Sequence, residues 1–149
     1  MEALFGYYAA ADDRDARQAV MSEDGQAIGA GYDQILVNGI DPVADLSWLE
    51  FVLTGRSPRL IKSDPRLGHI VAEVGNGEVV SVSLTDTLRD GLVGVDRGFM
   101  DDIAPNWRLS GSYPPPADAA QLAVFLKQLA ALAERAITRG HSLYCWKHR

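Results

Sequence analysis

Between Asp41 and Gly55 the chain reads D-P-V-A-D-L-S-W-L-E-F-V-L-T-G, a helix with its start and stop signals written in. Asp41 is a strong N-cap, because its carboxylate can accept from the orphan amides of a first turn. Pro42 then falls where a missing N–H costs nothing. Leu46, Leu49, Val52 and Leu53 recur at helical spacing, and Trp48 and Phe51 widen the apolar face. A face this wide predicts packing on both sides, hence a helix buried near the middle of the core. Gly55 can enter the left-handed region without a Cβ clash, and Pro58 forbids continuation.

The segments around this helix alternate between strand and helix signals. Ala3–Ala10 is apolar and aromatic and predicts an opening strand, in which Gly6 marks a bulge or a close approach. Asp12 or Asp13 caps a short helix through Met21, with Ala16, Ala19 and Val20 as its apolar face. Residues 22–31 are glycine-bearing and polar, a loop. Gln34–Val37 is too short for periodicity to separate a strand from a helical turn. After Gly55 the run R-S-P-R-L-I-K-S-D-P-R-L-G is expected to be irregular. His69–Val74 and Val79–Val82 flank Asn76-Gly77, a strong hairpin signal.

Ser83 or Thr85 caps a helix carrying Leu84, Leu88 and Leu92 and ending at Gly94. Phe99, Met100 and Ile103 predict one more helical segment before Pro105, and Tyr113-Pro-Pro-Pro predicts an extended connector. Asp118 and Gln121 form a capping-box variant ahead of Leu122, Phe125, Leu126, Leu129, Leu132, Ala133 and Ala136, a long C-terminal helix that Gly140 closes. Ser142–Trp146 reads as a closing strand. The expectation is a single α+β domain over residues 1–149. Its small sheet includes both terminal strands and is packed with a buried central helix and the long C-terminal one.

Composition narrows the function classes. The chain has 149 residues, 47% of them hydrophobic, enough for an ordinary core. The single Cys145 excludes a disulfide framework or a cysteine metal knuckle. No segment is apolar for long enough to span a bilayer, and the first residues lack a signal-peptide pattern, so a reducing cytoplasm is the expected compartment and no membrane partner is expected. A net charge of −6 argues against a general phosphate-backbone grip and thus against nucleic acid.

Several landmarks resemble the YfbM-like proteins, a small bacterial family of unknown function. Phe5–Ala9 (F-G-Y-Y-A) before an acidic helix start is similar to the family's opening. Leu49–Gly55 (L-E-F-V-L-T-G) looks like its most recognisable motif, and Asp64–Gly68 (D-P-R-L-G) and Tyr113-Pro114 follow in the same order. The chain departs at Leu46, where the family often carries Trp, and at Glu50, where it often carries His. The resemblance implies an α+β fold with a long helix near the C-terminus and implies no biochemical activity.

No catalytic motif assembles in the sequence, and no cofactor is expected. Thr54-Gly55 could offer a hydroxyl and bare backbone to a ligand, but Leu-Thr-Gly is more simply a helix end with Thr bonded back one turn. Asp64 and His69 could form an acid–base or metal pair, although Asp-Pro also starts turns and no second histidine lies at ligand spacing. Arg56, Arg59, Lys62 and Arg66 form the one dense basic cluster, able to grip a phosphate or an acidic partner.

His141 reads as a cation at a helix C-terminus, and His148 as part of a basic tail. Cys145 between two aromatics reads as a small buried hydrophobe. Gly75–Glu78 lacks the lysine of a phosphate loop and reads as a turn. Tyr7, Tyr8, Trp48, Trp107 and Tyr113 could line an aromatic cleft. The leading expectation is a non-enzymatic module that binds another protein, an antitoxin-like or immunity-like role being one version. The alternative is a small-ligand binder or enzyme whose site joins residues 56–69, Tyr113 and the N-terminal tyrosines. The candidate binding positions are Tyr7, Trp48, Thr54, Arg56, Asp64, His69 and Tyr113.

Overall fold

The first strand, β1 (Leu4–Ala10), is buried at every position from Phe5 onward, which only a strand covered on both faces can be. A computed structural model, described here over residues 3–21, 27–107 and 119–148, shows how that cover is built. Four further strands, β2 (Gln34–Asn38), β3 (Ile70–Val74), β4 (Val79–Ser83) and β5 (Ser142–His148), join β1 in one sheet of order β2-β1-β5-β4-β3. All neighbours are antiparallel, and the two terminal strands pair in register from Leu4 opposite His148 to Ala10 opposite Ser142.

Among the described residues there are six helices, α1 (Asp13–Val20), α2 (Leu46–Thr54), α3 (Pro58–Ser63), α4 (Asp86–Gly94), α5 (Arg97–Ile103) and α6 (Ala119–Arg139), with a short 3₁₀ turn at Ala104–Asn106. Side chains alternate across the pleat, so β1 and β5 each feed two cores. Phe5, Tyr7, Ala9, Leu143 and Cys145 join the larger core, with Leu49, Leu92, Met100 and the inner stripe of α6. Tyr8, Ala10, Tyr144 and Trp146 form a smaller core under α1 with Ala16, Ala19 and Val20. The chain is thus a single α+β domain whose sheet carries both terminal strands and whose long helix runs to Arg139.

Local signals set most boundaries. Asp12 caps α1 by accepting from Asp15 N at 2.8 Å, and Thr85 caps α4 by accepting from Leu88 N at 3.1 Å. Asn76 and Gly77 both have positive φ (57° and 89°), as a type I′ hairpin turn requires. Gly6 faces Trp146 on the neighbouring strand, and a Cβ there would sit inside the indole ring. That ring cannot yield easily, because it is buried and its Nε1 donates to Gln34 Oε1 at 3.0 Å. Gly6→Val is therefore expected to cost about 2–3 kcal/mol, read from urea unfolding. A loss within experimental error of zero would show that the indole moves aside.

Several expectations need correction. The helix that was to begin after Asp41 begins at Leu46. Asp41 does cap, accepting from Val43 N at 2.8 Å and Ala44 N at 2.9 Å, but what it caps is a preceding turn. Nor does α2 pack on both sides. Leu46, Leu49 and Glu50 are buried, whereas Trp48 is 39% exposed and Phe51 41%. The segment after Gly55 is not wholly irregular: Ser57 accepts from Leu60 N and Pro58 takes the first position of α3.

His141 closes α6 with its backbone rather than its imidazole. Its N–H donates to Ala136 O at 2.7 Å while Gly140 N donates to Ile137 O at 3.0 Å, the double bond of a Schellman end. His148 lies within β5 instead of a loose tail. Asp118, Tyr113 and the proline run fall outside the described residues.

Candidate functional site

The C-terminus of α2 turns sharply, and that turn places the candidate loop. Gly55 adopts φ 73°, Thr54 Oγ1 donates back to Glu50 O at 2.7 Å, and the same oxygen accepts from Arg56 N at 3.1 Å. The chain therefore doubles back and delivers the Arg56 guanidinium to the side chain of Glu50, which is only 1% exposed.

Glu50 is the centre of a closed polar knot. Its Oε1 accepts a short hydrogen bond from the Thr85 hydroxyl. Its Oε2 accepts from the Thr87 hydroxyl at 2.8 Å and from Arg56 at 3.0 Å. Arg56 also donates to Thr87 Oγ1 at 2.7 Å and to Asp64 Oδ2 at 3.0 Å. The Asp64 carboxylate, and after it that of Glu50, holds the Arg56 guanidinium protonated even more firmly than usual. Asp64 Oδ1 meanwhile accepts from Arg66 N at 2.9 Å, the turn-starting bond expected of Asp-Pro. A buried carboxylate is tolerated only when charge and hydrogen bonds compensate it, and each Glu50 oxygen has its partner. Three donors converge on its two oxygens. The knot braces α2, α3 and the start of α4.

A second ion pair ties the same loop to the far side of the sheet. Arg66 grips Asp13 with two parallel bonds of 2.9 and 2.7 Å, and the Tyr144 hydroxyl donates to the same carboxylate at 2.8 Å. Arg66, with help from Tyr144, holds the Asp13 carboxyl below the usual carboxylate range. Two of the four clustered cations are thus consumed internally. Arg59 and Lys62, one turn apart on α3, are exposed and form no ion pair among the described residues. They lie beside Leu60, 55% exposed, on a helix that packs against α2.

The remaining candidates separate. Tyr7 is fully buried, its hydroxyl donating to Ile40 O at 2.6 Å and its ring set edge-on to Phe125. Tyr8 is equally buried, its hydroxyl bonded to Ala16 O and Ser81 Oγ. Trp107 is buried too and donates to Asp45 O. The N-terminal tyrosines therefore line no cleft, and the ligand-site reading loses that wall. His69 is exposed, and no bond joins it to Asp64. No cluster of three or more potential metal ligands exists among the described residues. Cys145 is a buried member of the larger core, and burial pushes its thiol pKa well up. No helix among those described is long and apolar enough to cross a membrane.

Thr54, Arg56 and Asp64 are brought together, a grouping the sequence reading did not make, and Trp48 stands on the outer side of α2. Glu50, Thr85 and Thr87 were missed as a set. One signal was legible: Glu50 lies four residues after Leu46, a charge on the inner face of an apolar helix. Set against family models, curated proteins and solved structures, the chain gives no match in any of the three comparisons.

Proposed function

We propose that the chain is a YfbM-like, cytoplasmic binding module that recognises another protein through the outer surfaces of α2 and α3. The observation that carries this reading is the exposed Trp48–Phe51 pair. The two sit one turn apart on a helix whose opposite face is locked in place by the Glu50 knot. Large aromatics are the side chains that anchor protein interfaces, and a rigid support lowers the ordering cost of using them. Arg59 and Lys62 on the adjoining α3, exposed and without an ion pair among the described residues, in a chain of net charge −6, give the partner's character: an acidic segment with apolar anchors. The lone, buried cysteine suits a reducing compartment.

Capture from native lysate on wild type and on Trp48→Ser/Phe51→Ser tests this reading. The expected partner is acidic, is retained by wild type, and binds the double variant at least about tenfold more weakly. Arg59→Glu/Lys62→Glu should weaken binding and remove its salt dependence. Neither variant should lower the unfolding midpoint, because the replaced side chains are exposed. Trp107 and Trp146 are buried, so acrylamide quenching reports chiefly on Trp48 and should fall in the complex. A partner held equally by both forms, with quenching unchanged, would refute the assignment.

A further inference from the structure

Among the described residues β2 is an edge strand without the charges, proline or bulge that usually protect one. It pairs with β1 on one side, and no described strand pairs with the other. Its five residues, Q-I-L-V-N, contain no charge and no proline, and its register runs without a bulge from Leu4 opposite Asn38 to Tyr8 opposite Gln34. The other edge, β3, is guarded. Its register shifts between Ile70 and Ala72, it carries Glu73, and α1 packs against it. Edges left flat and uncharged are templates for another strand.

The hydrogen-bond phase of that edge can be worked out. Ala9 N donates to Asp33 O and Gly39 N to Ala3 O, so odd-numbered residues of β2 direct their backbone groups at β1. Gln34, Leu36 and Asn38 therefore present N–H and C=O outward, spaced evenly about Leu36. Leu36 is itself 56% exposed. On the helix side, Gln34, Ile35 and Leu36 border a groove whose other wall is Gln128, Ala131 and Arg135 of α6, with a volume of about 430 Å³. The one charge there is neutralised, because Arg135 grips Asp33 at 2.6 and 2.9 Å.

We infer that two copies of this chain pair edge to edge through β2, antiparallel about a two-fold axis at Leu36, to form one continuous ten-stranded sheet. That axis sets Gln34 opposite Asn38 of the second copy and Leu36 opposite Leu36. Every outward N–H then meets an outward C=O. The same register puts Ile35 beside Val37 of the second copy, extending the apolar surface over the α6 groove. A second copy necessarily presents the same uncharged edge in matching phase about Leu36, so the chain itself supplies the complementary strand. The contact is narrow, so the dimer is expected to be weak and concentration-dependent.

The test is sedimentation velocity of the full chain over a wide concentration range, together with crosslinking. Wild type should pass from monomer to dimer, and Leu36→Lys should weaken dimerisation at least about tenfold without lowering thermal stability. Leu36→Cys should form a disulfide dimer under mild oxidation, since residues opposed in a hydrogen-bonded pair lie roughly 5.5 Å apart, within disulfide reach. Asn38→Cys should not crosslink, its counterpart lying four residues away in register. Wild type is the control for the buried Cys145. A chain that stays monomeric with Leu36→Cys uncrosslinked overturns the inference. So does a dimer untouched by Leu36→Lys, or one that Asn38→Cys crosslinks as readily as Leu36→Cys.

Discussion

Raised above pH 10, the protein should unfold cooperatively, with its midpoint between about pH 11 and 12. Tyr7, Tyr8, Tyr144 and Cys145 are buried, and burial is the main force pushing each of their pKa values up. For Tyr144 the adjacent Asp13 carboxylate adds to that push. In the unfolded chain these groups ionise near their ordinary values, about 10 for tyrosine and 8.5 for cysteine. Above those values the unfolded state releases protons that the folded state keeps. The stabilising contribution is thus complete below them and is lost as pH rises. Each group contributes a slope of about 1.4 kcal/mol per pH unit, and four together roughly 5 kcal/mol per unit.

A domain with a stability of about 5–15 kcal/mol cannot withstand that slope for long. Tyr32, half-buried and pushed up to about 12 by burial and by its bond to Asp15, acts in the same direction. Tyrosinate absorbance should therefore rise in step with the loss of circular dichroism, and Tyr8→Phe should flatten the decline by one group's share. Tyrosines that ionise near pH 10 while the circular dichroism persists would disprove the burial argument.

The second large effect is expected at Glu50. Glu50→Ala removes the one carboxylate that joins Thr85, Thr87 and Arg56, leaving two hydroxyls short of an acceptor and a cavity where the side chain lay. Breaking a buried ion pair from one side typically costs about 3–5 kcal/mol. Arg56 retains Asp64 and partial access to water, so the lower end, about 3 kcal/mol, is expected here. That corresponds to a fall of roughly 10 °C in Tm for a chain of this length. Glu50→Gln keeps the shape and loses only the charge-assisted part, about 1–2 kcal/mol. A double-mutant cycle with Thr87→Val should show coupling, since the two side chains touch. If Glu50→Ala were as stable as wild type, the knot would hold nothing together, and the rigid support proposed for Trp48 and Phe51 would fall with it.

The comparison of reading and outcome is instructive residue by residue. The caps at Asp12, Thr85 and Gly140, the hairpin at Asn76-Gly77 and the inner stripe of α6 all lay where local pattern placed them. Of the candidate positions, Thr54 ends α2 and Arg56 and Asp64 flank α3, and their meeting was not read from the sequence, which marked only the glycine stop at Gly55. Tyr7 is buried against Phe125, and no bond joins the exposed His69 to Asp64; their residue types alone carried no information about direction.

By itself, the sequence determined most elements and many of their ends, because capping, turn chemistry and helical periodicity are settled by neighbours a few residues apart. It did not determine the start of α2, the existence of α3 or the strand at β2. Only the tertiary structure decided which charges are consumed, which aromatics stay outside and which strand is left at an edge. Thr85 and Thr87 meet Glu50 from 35 and 37 residues away, and Arg66 meets Asp13 across 53. Contacts of that range depend on how the sheet closes around β1 and β5, and no local pattern encodes the closure.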